Sequence, residues 1–161
     1  MRRLAAALLS IFVFAIMASQ PVSAKPTEVA GNLVNPTSEL VMGPWTAGTN
    51  TFIVKENQWD WTGNITGHAI ATVNILIHGT GMIGIHEYGT IYDATWGDLT
   101  GNITIVTVGK GDGTDFWLHF SVESGTDDFE MLDGHGDIHL HYDAEGMPHV
   151  DYVAWLVMDG M

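Results

Sequence analysis

Between Asp133 and Asp143 the chain alternates with a period of two. Asp133, His135, Asp137, His139, His141 and Asp143 fall on one side, and Gly134, Gly136, Ile138, Leu140 and Tyr142 on the other. Successive side chains of an extended strand point to opposite faces, so this run predicts a β-strand with one polar face and one apolar or close-packed face.

The same signal recurs along the chain. Runs rich in strand-forming residues cover 51–55, 58–66, 69–78, 82–92, 99–108, 115–123, 135–143 and 150–158, broken by Gly, Asn and Asp. About eight strands at this spacing predict an all-β fold, a single antiparallel barrel or sandwich. No window carries a helical period. Gly109-Lys110-Gly111-Asp112-Gly113 supplies residues that tolerate positive φ between two strong strands, which predicts a hairpin. The last run, Val150 to Val157, is apolar on both faces and suits a strand that closes a barrel. Residues 51–161 therefore read as the barrel domain. Residues 25–50, with Pro26, Pro36 and Pro44 and no periodicity, read as an irregular lead-in. Thr62-Gly63-Asn64-Ile65-Thr66 returns as Thr100-Gly101-Asn102-Ile103-Thr104, either a duplicated hairpin or chance reuse of strand-forming residues.

Ahead of the lead-in stand Arg2 and Arg3, an apolar run from Leu4 to Ala18, and Val22-Ser23-Ala24. This is the pattern of a secretory signal peptide over residues 1–24, cleaved after Ala24. The apolar run is about 15 residues, short of the roughly 20 that a bilayer span needs. The expected product is secreted or extracytoplasmic, with no stable membrane insertion after cleavage.

The full chain carries 19 Asp and Glu against 5 Lys and Arg, a net charge of −14. Cleavage would remove both arginines and leave Lys25, Lys55 and Lys110. Such a field repels nucleic acid and anionic lipid. Solubility in a salty medium, avoidance of aggregation and attraction of cations each account for it. The chain has no cysteine, so there is neither a disulfide framework nor a thiol site, and stability must come from packing.

Trp117-Leu118-His119-Phe120, followed by the stretch from Ser124-Gly125-Thr126 through Leu132-Asp133-Gly134-His135-Gly136, resembles a group of uncharacterised secreted microbial proteins, a domain of unknown function whose barrel is similar to that of allene oxide cyclase. Asp127 stands where that group usually has Gly. The resemblance covers roughly residues 58 to 158. It implies a small barrel, allene-oxide-cyclase-like or lipocalin-like, whose interior is packed solid or holds one apolar molecule. It carries no reaction with it, since no motif maps the cyclase's functional residues.

For chemistry, the polar face of the alternating strand is the best candidate. His139 and His141 lie about 6.6 Å apart along a strand, close enough for both to reach a metal held about 2.0–2.1 Å from each nitrogen. His135 and Asp137 extend the face. If residues 115–123 pair with this strand, Trp117, His119, Ser121 and Glu123 lie beside it. His119 or His135 is then the third ligand to a divalent transition metal such as Zn, Ni or Cu. The other reading of this face is the solvated outside of the barrel.

His68, His78 and the pair His86-Glu87 are isolated and read as strand or turn residues. No Gly-x-Ser-x-Gly elbow is present, and nothing selects a carboxylate pair among acids such as Asp93, Asp98 and Glu123. Trp59, Trp61, Trp96, Trp117 and Trp155 read as barrel core, with a ligand cavity or a sugar-stacking surface as the alternative. The function these features support is a structural module or one that binds a small apolar ligand. The alternative is an isomerase or cyclase-type enzyme in the barrel mouth, which requires Glu123, His119 or the acids near Trp96 to point inward.

Overall fold

A computed structural model describes residues 25–158. The signal peptide expected over residues 1–24 lies outside them. Eight strands run in chain order: β1 Thr27–Ala47, β2 Asn50–Gly63, β3 Thr66–Ile77, β4 Ile83–Trp96, β5 Leu99–Gly111, β6 Asp115–Gly125, β7 Leu132–Tyr142 and β8 Pro148–Met158. Each pairs antiparallel with its neighbour in sequence, and β1 pairs with β8 to close the ring into a barrel.

Alternation positions most of these strands. In β3, Ala69, Ala71 and Val73 are buried while His68, Thr72 and Asn74 are not. In β6, Phe116, Leu118 and Phe120 alternate with Asp115, Trp117 and His119. The register of β6 on β7 sets Trp117 against His139, His119 against Asp137 and Ser121 against His135, so the polar faces expected to be neighbours are neighbours.

Two expectations need correction. The lead-in is not irregular: residues 27–47 form β1, laddered to β2 from Gly31 to Ala47 and to β8 through residues 27–33. Strand pairing overrides the missing periodicity, which bulges between Val34 and Thr37 and between Leu40 and Trp45 had scrambled. The domain thus begins at Thr27. Conversely, the run 51–55 and the first part of the run 58–66, as far as Gly63, belong to one strand, β2. The repeated pentapeptide is no duplicated hairpin, because its first copy turns from β2 into β3 while its second lies inside β5.

One end of the ring is plugged. A single 3-10 turn, Asp127–Phe129, drops Phe129 into the barrel at 0% exposure. Asp127 enters that turn at φ 55°, the left-handed conformation that glycine adopts most easily. Above the plug, Trp61 packs edge-on to Phe120 with ring centroids 5.8 Å apart, and lies 4.5 Å from Tyr152. Gly136 faces Phe120 so closely that a Cβ there would lie 2.5 Å from the ring. Small residues opposite large ones fill this half of the barrel.

Candidate functional site

The other half of the barrel is not filled. The hairpins β1–β2, β3–β4, β5–β6 and β7–β8 surround its end, and below them lies a cavity of about 380 Å³. Ile53, Ile75, Ile77, Ile85, Leu118 and Leu140 are among the side chains that make its walls apolar. The β5–β6 turn at the rim is held by Asp112, whose Oδ1 accepts hydrogen bonds from the N–H groups of Thr114 and Asp115 at 3.0 and 3.1 Å. Those bonds keep the Asp112 carboxyl below its ordinary pKa.

Lys55 and Glu87 interrupt the apolar lining, as do Thr37, Ser38, Asn57 and Tyr142, and β-strand register places the first two. Lys55 on β2 and Glu87 on β4 both pair with Val73 of β3, one from each side. All three face inward, and the two charged residues stand about 10 Å apart at the backbone by strand spacing. Among the described residues neither side chain makes a hydrogen bond or an ion pair. Burial pushes the Glu87 carboxyl up to about 7, because the apolar walls disfavour its charged form. Next to Glu87 in the β4–β5 ladder, Thr107 keeps a buried hydroxyl without a hydrogen-bond partner.

Sequence reasoning had dismissed Glu87 as isolated. Its signal was in the alternation of β4: Ile83, Ile85, Glu87, Gly89 and Ile91 share one face, and a lone carboxylate in an apolar file is a buried one. The acids and histidine that the enzyme alternative required to point inward do not. Glu123, His119, Asp93 and Asp98 are all exposed. The mouth chemistry built on them falls, since bulk water surrounds each.

The histidine face lies on the outside. His139 Nε2 is 2.6 Å from Asp115 Oδ1, and its ring stacks under Trp117 with centroids 3.9 Å apart. His141 stacks between His139 and His149 at 5.3 and 5.1 Å, with its Nδ1 buried and unpartnered. His119 Nδ1 is 3.0 Å from Asp137 Oδ1, and His135 lies between His119 and Trp155. The structure thus groups His139 with His141 and His119 with His135 as parallel or tilted rings, and in each pair one ring, His139 or His119, has a nitrogen on a carboxylate. Among the described residues no three His, Asp or Glu side chains are arranged to hold a metal ion. Trp117, expected in the core, is 62% exposed because its β6 position faces out, whereas Trp59 and Trp61 on β2 face in.

Comparison with protein-family models and with curated proteins returns no match. Among solved structures, a protein of unknown function from the DUF3224 family of Shewanella oneidensis MR-1 superposes with a TM-score of 0.67. The two share 14% sequence identity over 84% of this chain and 99% of the other. The likeness is one of fold: this all-β ring is shared with an uncharacterised microbial domain.

Proposed function

We propose that the chain is an exported β-barrel, allene-oxide-cyclase-like or lipocalin-like in its architecture, that takes up a small apolar molecule through its open end. The cavity of about 380 Å³ carries this reading. A small domain without disulfides gains stability by filling its interior, and an unfilled apolar space forfeits dispersion contacts on every wall. Its volume is within the range of about 300–1,000 Å³ common to small-molecule pockets. A leader of signal-peptide pattern and the acidic composition fit a protein that works outside the cytoplasm.

The test is extraction of the purified protein into organic solvent with mass spectrometry of the extract, beside titration with a neutral apolar fluorophore. We expect saturable binding of one fluorophore per chain, lost in Ile75→Trp, which fills the cavity. Absence of saturable binding by the unsubstituted protein would overturn the reading.

Glu87 favours a second reading, an isomerase or cyclase-type enzyme. A carboxyl that exchanges its proton near pH 7 on the wall of a largely apolar cavity is suited to general acid–base work. Incubating the molecule recovered from the cavity with fresh protein and with Glu87→Gln separates this from simple carriage. Turnover by the first and not the second supports the enzyme.

A further inference from the structure

The charged groups of the cavity lie deep in it. On each strand that carries one, apolar residues stand between it and the open end: Ile53 above Lys55 on β2, and Ile83 and Ile85 above Glu87 on β4. Ile75 and Ile77 stand in the same way above Val73, the residue of β3 that pairs with both. The row runs on from Glu87 to Thr107 and from Thr107 to Phe120, which belongs to the plugged half. Lysine and carboxyl therefore lie on the floor of the cavity, under an apolar collar.

What that floor offers is donors. Lys55 brings an ammonium. Asn57, two residues deeper on the same face of β2, accepts from Ser38 Oγ with its Oδ1 at 2.7 Å, which leaves its amide N–H groups. Below pH 7 Glu87 holds its proton and is a donor as well. Burial alone causes that shift; Lys55 does not pair with the carboxyl, and among the described residues its charge has no counter-ion.

A neutral ligand would leave that ammonium unpaired against apolar walls, and an amine would be repelled by it. An anion satisfies it. At about 30 Å³ for each water-sized group, 380 Å³ is room for roughly a dozen heavy atoms, too few for a phospholipid and enough for a chain of about ten carbons with one small head. We propose that the ligand is a monocarboxylate with an apolar tail, bound head-down: its carboxylate accepts from the Lys55 ammonium and the Glu87 carboxyl, and its tail lies among the isoleucines of the collar. The assignment rests on the uptake of an apolar molecule by this same cavity.

Glu87 then couples binding to pH. Tyr142 on β7 is the other ionisable residue of the lining; the lining residues of β1, β3, β6 and β8 carry no ionisable group, and Thr107 of β5 brings only a hydroxyl. As pH rises through about 7 the Glu87 carboxyl ionises, ceases to donate and repels the bound carboxylate.

Displacement of the neutral fluorophore by decanoate, decanol and decylamine at pH 6 and pH 8 tests this, since the three share a tail and differ in the head. At pH 6 decanoate should bind at least about tenfold more tightly than decanol, as a charge-assisted hydrogen bond provides, and decylamine more weakly than either. Lys55→Met should bring decanoate to the level of decanol while decanol still binds, which shows the variant folded with its cavity intact. Decanoate affinity should fall by about tenfold from pH 6 to pH 8 and stay level in Glu87→Gln. A fluorophore that binds but yields no more readily to decanoate than to decanol overturns the carboxylate assignment and leaves uptake standing. So does a preference for decanoate that survives in Lys55→Met. A fluorophore that does not bind overturns both readings.

Discussion

The hydroxyl of Tyr152 grips both backbone groups of Ile65, 87 residues away: it accepts from the Ile65 N–H at 3.1 Å and donates to the Ile65 carbonyl at 3.2 Å. Tyr152 is 1% exposed and Ile65 3%. One side chain of β8 thereby satisfies the buried turn between β2 and β3, which has no ladder partner at that point. Tyr152→Phe keeps the ring packed on Trp61 and strands both groups. Unfolding free energy in urea should fall by about 1–3 kcal/mol, the desolvation penalty of unpaired buried polar groups.

Glu87 makes stability depend on pH. Its ordinary pKa is 4.5 and its folded value about 7, so the native state binds the proton more tightly than the unfolded chain. Its contribution is fully present below pH 4.5, declines as pH rises between 4.5 and 7, and is lost above 7. The loss is at most about 3.5 kcal/mol at about 1.4 kcal/mol per unit. Glu87→Gln should be more stable than the unsubstituted protein at pH 8 and equal to it within about 1 kcal/mol at pH 4.5. Urea titrations of both proteins at the two pH values check this.

Gly136 has its Cα against the Phe120 ring and the Val153 carbonyl, and a Cβ would stand 2.5 to 2.6 Å from them. Gly136→Ala overpacks the plugged half, which should lower stability by about 1–3 kcal/mol. Fluorophore binding in the open half should survive at temperatures where the variant is folded. Loss of binding in a folded variant would mean that the two halves are not independent.

Much of this fold was legible because strand alternation is a local property. β3, β6 and β7 each show it, and the polar faces of β6 and β7 lie side by side as their alternation implies. β1 was not legible: Pro36, Pro44 and three bulges break its period, and only its partners β2 and β8 make it a strand. The site was hidden for a related reason. Position 87 looks like one of many acids until Ile83, Ile85 and Ile91 are read as the same face. The histidines of β7 were conspicuous in the sequence for the opposite reason, because a face that meets water tolerates a dense run of polar groups.

If the leader is cleaved as its pattern predicts, N-terminal sequencing of the exported protein should begin at Lys25. A chain retained in the membrane and starting at Met1 or Arg2 would contradict it.

Thr27 of β1 and Leu156 of β8 are ladder partners, so the ends of the barrel's chain lie side by side. Both sit at the plugged end, near the turn that inserts Phe129. Anything joined before Thr27 or after Met158, whether a tether, a tag or a second domain, departs from the floor of the vessel and leaves the rim unobstructed. The same adjacency makes the barrel a candidate for circular permutation: a short bridge between the two ends would let the chain be reopened at any hairpin of the rim without altering a single rung of the sheet.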